Sequence, residues 1–268
     1  MPELPEVECL AGYLRGQIIG LKIKKFISLS SRIIARQSIA LKRLTNCQIV
    51  DVGRRGKYII LKLVSPNKLT NGELLIHLRM SGRLELCSSR KFFSKYHRFV
   101  IRFTSGRDLR LHDVRKFAKV AIVKSAEEVT AKLGVEPLSG DFKPALLSNL
   151  LSSSSKKIKT FLLDQSKIAG VGNIYADESL WRARINPLKK ANLITADEAR
   201  SLWEAIKSVL KKAIKNNGTD NGDRVVLDGL YQPAVYGRGG MPCGRCRKPI
   251  RRVVINQRSA HYCEYCQR

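Results

Sequence analysis

The chain has 268 residues, 44% of them hydrophobic, and 50 Lys and Arg against 22 Asp and Glu give it a formal net charge of +28. The apolar fraction excludes a disordered basic tail, no apolar run nears the ~18 residues of a membrane span, and the acidic start Met1-Pro2-Glu3-Leu4-Pro5-Glu6-Val7-Glu8 is the opposite of a secretory signal. Such an excess of one sign opposes compaction and points to a polyanionic partner, nucleic acid first, in a chain long enough for about two domains.

In chain order, Pro5 suits a first helical turn, and Val7, Leu10 and Leu14 share one face of the predicted helix. The first Lys or Arg is Arg15, so three glutamates and no base precede it. From about residue 20 to 125 the pattern is short strands, as at Ile49–Val52, Tyr58–Leu63, Glu73–Leu78 and Arg98–Phe103, rich in β-branched and aromatic residues and punctuated by Gly, Asn and Ser. That spacing predicts a sandwich or barrel. Gly134, Pro137 and Gly140 mark an interdomain linker. Beyond it the period is helical. Ser152 to Ser155 reads as a loop and helix cap. Thr195-Ala196-Asp197-Glu198 is a capping box opening a helix with Leu202, Ile206, Leu210, Ala213 and Ile214 on one side and Gly218 past its end.

Seven cysteines divide three and four. Cys9, Cys47 and Cys87 read as small, buried or half-buried thiols. Cys243-x2-Cys246 and Cys263-x2-Cys266, sixteen residues apart, fit the zinc template, each pair supplying two thiolates from a tight knuckle. Two disulfides are the alternative, and they need an oxidising compartment. A four-cysteine site leaves no open position, so one Zn2+ here is structural. From Val235 onward there are eight Lys and Arg and one acid, Glu264, the balance of a finger that grips phosphate.

The N-terminus carries its own chemistry. Pro at position 2 permits removal of Met1, exposing a prolyl amine. An α-amine has a pKa near 8, so roughly a tenth is neutral at pH 7, against well under about a thousandth of a lysine. Such an amine attacks an aldehyde-like carbon and gives an iminium ion. A following helix N-terminus would lower its pKa and Glu3 and Glu6 would raise it, while a carboxylate beside it can shuttle protons. By itself, Pro2 could also merely stiffen a chain end.

Taken together, the start, Gly53-Arg54-Arg55-Gly56-Lys57-Tyr58, His77-Leu78-Arg79-Met80-Ser81-Gly82, the segment from Asp164-Gln165 to Gly170-Val171-Gly172-Asn173-Ile174-Tyr175-Ala176, Val235-Tyr236-Gly237-Arg238 and the finger with Gln257-Arg258-Ser259 resemble the formamidopyrimidine-DNA glycosylase family, in order and over nearly the whole chain. The resemblance implies an α+β fold: an N-terminal β-sandwich with a leading helix (1–133), a linker (134–146), a helix-two-turn-helix domain (147–234) and a four-cysteine zinc finger (235–268), with DNA across the cleft. It implies a bifunctional DNA glycosylase and abasic-site lyase of base excision repair. Such an enzyme removes 8-oxoguanine and formamidopyrimidines from double-stranded DNA through a Pro2 Schiff base, then cuts abasic sites by β,δ-elimination. Pro2 is then the nucleophile, Glu3 the proton donor and acceptor, Lys57 a phosphate contact near the lesion and Arg258 the finger arginine. Glu6, His77, Lys159, Asn173 and Tyr236 fall among the DNA-contacting positions, with Gly170 and Gly172 letting backbone amides approach an anion. Met80 is the wedge that fills the hole left by the extruded base, with Arg115 and Phe117 as the partners that hold the opposite strand's base; without the resemblance, Met80 and Phe117 would read as core. A cytoplasmic, nucleoid-associated monomer without membrane contact is expected.

Three departures stand out. Arg79 replaces a usual Gly, Val114 and Ala118 replace Pro and Gly of the segment presenting Arg115, and the stretch from Gly218 to Tyr231, which caps the flipped purine in the family, is shortened. An endonuclease VIII-like preference for oxidised pyrimidines is therefore the nearest rival, and a non-catalytic zinc-containing nucleic-acid binder the rival from another class.

Overall fold

A computed structural model describes residues 1–35, 44–66, 71–219 and 229–268. The chain forms two units, one built mainly from residues 6–132 and the other mainly from 133–219 and 230–268, with Glu3–Pro5 belonging to the second.

The first unit opens with α1 (Leu4–Ile18). Eight strands follow: β1 (Ile23–Ser28), β2 (Gln48–Arg55), β3 (Tyr58–Val64), β4 (Asn71–His77), β5 (Gly82–Ser88), β6 (His97–Phe103), β7 (Arg107–Asp113) and β8 (Lys119–Val123). They form two antiparallel four-stranded sheets, β1-β6-β7-β5 and β2-β3-β4-β8. Val7, Leu10, Ala11, Leu14 and Ile18 of α1 share one core with Ile49, Val52, Ile59, Leu61 and Ile76 of one sheet and Phe99, Ile101, Phe103, Leu109 and Leu111 of the other. Burying each such side chain is worth about 1.5–3 kcal/mol, which is why the helical face foreseen from Val7, Leu10 and Leu14 is the one that packs. The run Tyr58–Leu63 lacks alternation because its second face is also covered. Ile60 packs with Leu75, Ala121 and Val123 against Val129 of the short α2 (Glu127–Thr130).

The second unit contains α3 (Pro144–Ser152), α4 (Ile158–Leu163), α5 (Asn173–Ala183) and α6 (Ala196–Lys215), then β9 (Arg251–Ile255) and β10 (Arg258–Tyr262). Pro144 opens α3, where its missing N–H costs nothing. The serine run closes that helix: the Ser152 and Ser153 hydroxyls donate to the Asn149 and Leu150 carbonyls, both at 3.0 Å. The capping box is present, with the Thr195 hydroxyl accepting from Glu198 N at 3.3 Å and Glu198 Oε2 from Thr195 N at 2.9 Å. At the far end of α6, Gly218 N donates to Ala213 O at 2.8 Å. The helices bury Leu147, Leu151, Phe161, Ile174, Tyr175, Leu180, Leu202, Ile206 and Leu210 together. Val235, Cys243, Ile250 and Cys263 form a separate small core under the β9–β10 hairpin. Among the described residues no helix is long and apolar enough to cross a membrane.

Candidate active site and nucleic-acid interface

Pro2 is buried just ahead of α1, and Glu3, 2% exposed, follows it. The Glu3 carboxylate accepts from Ile174 N at 3.0 Å and Tyr175 N at 3.3 Å, the open amides of the first turn of α5, where a negative charge is favourable. Gly172 makes the docking possible: a Cβ there would lie 2.3 Å from Glu3 Cδ. Gly170, at φ +87°, accepts Leu4 N on its carbonyl at 3.0 Å and has no room for a side chain against Leu4. The two glycines of the pair thus differ: Gly172 admits the chain's own Glu3 carboxylate, while Gly170 closes against Leu4 and has its N–H on Gln165 Oε1. The Asp164–Gly172 connection is itself fixed, with Gln165 Nε2 donating to Val171 O at 2.7 Å and Gly170 N donating to Gln165 Oε1 at 2.9 Å.

Lys159 requires correction. As a phosphate contact its ammonium would face outward, but it is instead paired with Asp177 at 2.6 Å and bonded to the Ser259 carbonyl, with the side chain 0% exposed. Burial pulls its pKa down, partly offset by the charges of Asp177 and Glu3. The other Asp177 oxygen accepts from His261 N at 2.9 Å. Asn173 joins the same cluster, its Nδ2 donating to Ser259 Oγ at 3.3 Å while its buried Oδ1 has no partner among the described residues. Asn256 Nδ2 donates to Thr160 Oγ1 at 3.1 Å. These contacts clamp the β9–β10 hairpin onto α4 and α5. Arg258, the first residue of β10, remains exposed beyond the two-residue turn Asn256-Gln257, whose φ values of 46° and 61° are those of a type I′ hairpin. The half-buried Tyr236 ring sits edge-on to His261 at 5.1 Å. Its backbone amide, with those of Ala234 and Val235, is held by Glu178.

The four thiol sulfurs of Cys243, Cys246, Cys263 and Cys266 lie within 4.8 Å of one another and form no disulfide. A tetrahedron with Zn–S bonds of about 2.3 Å has edges of about 3.8 Å, so the cluster fits one closed zinc site. Burial raises the Cys243 pKa, but the amides of Arg245 and Cys246, with the Trp181 and Cys263 side chains, together outweigh it and leave it at about 6. Cys9 is the opposite case. Burial, then Glu6 and Glu8, push its thiol up to about 11, which keeps it inert at neutral pH. Glu6 itself is buried in the first turn of α1.

In the first unit, Lys57 occupies the two-residue β2–β3 turn. Arg54 steadies that turn by pairing with Glu8 at 2.6 Å and donating to Gly56 O at 3.0 Å. His77, at the end of β4, accepts Arg79 N on Nδ1 at 3.0 Å, which leaves its hydrogen on Nε2. Burial, then the charges of Arg79 and Lys57, push its pKa down to about 3, so it is a neutral donor at working pH. The next loop carries Met80, exposed as a wedge requires. Arg115 stacks over the exposed Phe117 ring at 4.8 Å. Asp113 ties these loops together, accepting from Ser81 Oγ at 2.5 Å, Arg115 N at 3.1 Å and Ala118 N at 2.8 Å. The loss of Pro and Gly at Val114 and Ala118 thus leaves the loop closed by a carboxylate. Beside it lies a groove of about 760 Å³ lined by Tyr58, Arg79, Arg115, Lys116 and Phe117 among others. Arg79 adopts φ 55°, the left-handed region, which explains why Gly is usual there. The functional residues that sequence reasoning missed are Asp113, Ser81 and Asp177, polar groups whose only signal is the partner they meet in space. Of the shortened 218–231 stretch, residues 220–228 lie outside the described residues.

Family models match the chain over residues 1–120 (formamidopyrimidine-DNA glycosylase N-terminal domain), 133–224 (its H2TH domain) and 240–268 (the zinc finger found in FPG and IleRS). The formamidopyrimidine-DNA glycosylase of Herpetosiphon aurantiacus is 39% identical over 280 residues, spanning 100% of both chains. That of Ligilactobacillus salivarius is 39% identical over 277 residues, spanning 100% of this chain and 99% of its own. Among solved structures, MutM in complex with DNA containing carbocyclic 8-oxo-G is similar with a TM-score of 0.91 at 33% identity, covering 100% of both chains. Lactococcus lactis Fpg in complex with abasic-site DNA is similar with a TM-score of 0.90 at 33% identity, covering 99% of both.

Proposed function

The chain belongs to the formamidopyrimidine-DNA glycosylase family, and from that premise we propose that it excises oxidised purines from double-stranded DNA and cleaves the resulting abasic site with Pro2 as nucleophile. The observation that carries this reading is the docking of Glu3 on the amides of Ile174 and Tyr175, which fixes the chain one residue after Pro2. Once Met1 is removed, the Pro2 nitrogen attacks C1′ of the damaged nucleoside and the C1′–N bond breaks, the base leaving with a proton. The Pro2 nitrogen then gives up its proton, and the C1′–O4′ bond breaks as O4′ takes up a proton; because Pro2 is a secondary amine, the ring-opened adduct is a cationic iminium, which acidifies the C2′ hydrogen. Its removal expels the 3′ phosphate, and a second elimination expels the 5′ phosphate. Glu3, beside the amine in sequence, is the group placed to move these protons.

The remaining assignments serve the extruded strand. Lys57, His77, Asn173, Tyr236 and Arg258 hold phosphate, Met80 fills the gap in the duplex while Arg115 and Phe117 hold the opposite strand's base, and Lys159 positions the hairpin that bears Arg258. One Zn2+ on Cys243, Cys246, Cys263 and Cys266 supplies structure and no chemistry, because four thiolates leave no open position. The site of action proposed is the cytoplasm, on chromosomal DNA. Borohydride trapping on abasic DNA tests the mechanism. Protein whose mass confirms loss of Met1 should give a covalent adduct, and its failure to trap would refute the amine mechanism. Faster release of thymine glycol than of 8-oxoguanine would refute the purine assignment.

A further inference from the structure

The loop Ser89–Tyr96 between β5 and β6 reads Ser-Arg-Lys-Phe-Phe-Ser-Lys-Tyr, with three bases, three aromatics and no acid. Phe92 at its tip is 94% exposed, although burying a Phe is worth about 1.5–3 kcal/mol. The loop around it is held firmly. The fully buried Arg110 bonds Asp108 Oδ2 through Nε at 3.0 Å and donates to the carbonyls of Lys91 at 2.8 Å and Phe92 at 3.1 Å, and its guanidinium lies 4.2 Å from the Phe93 ring centre. Arg102 braces the same Asp108 at 2.8 Å. Further along, Ser94 N donates to His97 Nδ1 at 3.0 Å. The backbone on both sides of Phe92 is therefore fixed from beneath, with the ring projecting outward. Beside it lies a groove of about 510 Å³ lined by Phe92, Leu86, Arg83, Lys91, His97 and His112 among others. Lys91 is paired with Glu85, while Arg83, on the same groove, and Arg90 and Lys95, two and three residues from Phe92 in the same loop, are exposed.

We propose that Phe92 is a stacking platform for an unpaired base of a nucleic-acid strand, with Arg83, Arg90 and Lys95 on that strand's phosphates. This is a second nucleic-acid contact, built from residues that excision does not use. The occupant follows from the chemistry. A rigid aromatic face with exposed cations in its own loop and groove matches a ligand that alternates planar apolar faces with negative charges, and single-stranded nucleic acid is that ligand. An acidic peptide offers the charge without the stacking faces.

The test uses the full zinc-loaded chain and undamaged DNA, so it does not depend on excision. Affinity is measured for a short blunt duplex and for the same duplex with a single-stranded extension carrying 2-aminopurine. The wild type should bind the extended duplex more tightly and quench the 2-aminopurine. Phe92→Ala should lose about 5- to 150-fold on the extended duplex, lose the quenching and keep its affinity for the blunt one. Phe92→Trp should retain both. Extended-duplex binding by Phe92→Ala equal to wild type would overturn the proposal, as would an equal loss on both duplexes. So would a loss confined to polyglutamate or to vesicles of anionic phospholipid, with strand binding unchanged.

Discussion

Replacing Gly172 by Ala is the sharpest test of how Glu3 is held. The new Cβ would sit 2.3 Å from Glu3 Cδ and 2.5 and 2.7 Å from its two oxygens, so the carboxylate must leave the first turn of α5. The hydrogen bonds to Ile174 N and Tyr175 N are lost with it. A hydrogen bond to a charged group is worth about 1.5–3 kcal/mol. If one such bond supports the transition state, the rate falls about 10- to 150-fold. The assay is single-turnover borohydride trapping on abasic duplex with enzyme in excess, read beside thermal unfolding. A second variant isolates the cause: Glu3→Gly in the Gly172→Ala background removes the clash, and should recover stability without recovering trapping. A folded Gly172→Ala protein that traps at the wild-type rate would show that the docking of Glu3 does not matter. A double variant no more stable than the single would show that the steric account is wrong.

Four further outcomes follow from the same geometry. Lys159→Met strands the buried Asp177 carboxylate and should cost about 3–5 kcal/mol by chemical denaturation. It should leave the salt dependence of DNA binding unchanged, while Arg258→Ala lowers the log–log slope by about 0.9; equal slopes for both variants would return Lys159 to the phosphate contacts. At residue 79 the usual order of Ala over Gly should reverse, Arg79→Gly exceeding Arg79→Ala in stability by about 1 kcal/mol, because only glycine is unstrained at φ 55°. His77 has a folded-state pKa of about 3, below its ordinary 6.5. The folded chain therefore resists a proton that the unfolded chain takes up, and this part of the stability is whole above pH 6.5. It is lost at about 1.4 kcal/mol per pH unit as pH falls toward 3, and a denaturation series on His77→Gln should show that acid limb flattened. Cys243→Ser should release zinc and weaken DNA binding while far-UV and near-UV signals of the N-terminal sheets persist; unchanged affinity would separate the finger from the interface.

What could be read from the sequence was whatever announces itself locally. The α1 face, the Thr195 capping box and the spacing of the four cysteines each depend on residues within a turn or two, or on a motif whose chemistry fixes its shape. Within the stretch from about residue 20 to 125, β7 gives the weakest local signal, because Arg107-Asp-Leu-Arg-Leu-His-Asp113 is mostly polar. It is buried because Asp108 meets Arg102 and Arg110 on one face while Leu109 and Leu111 fill the core on the other. Lys159 was misread for the same reason in reverse. In a chain of +28 any lysine near a phosphate-binding motif looks like a phosphate contact, and only the fold reveals that Asp177 already neutralises it.

Net charge therefore does not say which cations are available to DNA. Arg110 and Lys159 are fully buried and bonded to carboxylates and backbone carbonyls, so they contribute shape, not affinity. Each holds a hairpin or loop whose own outward residue is free to act, Phe92 above Arg110 and Arg258 above Lys159. A buried cation that accepts no substitute and an exposed residue that it aims are thus two halves of one device. Removing the buried half should loosen the exposed half without removing its charge, and this is why Lys159→Met is expected to weaken binding through the lost order of the hairpin while Arg258 still meets its phosphate and the salt slope stays that of the wild type.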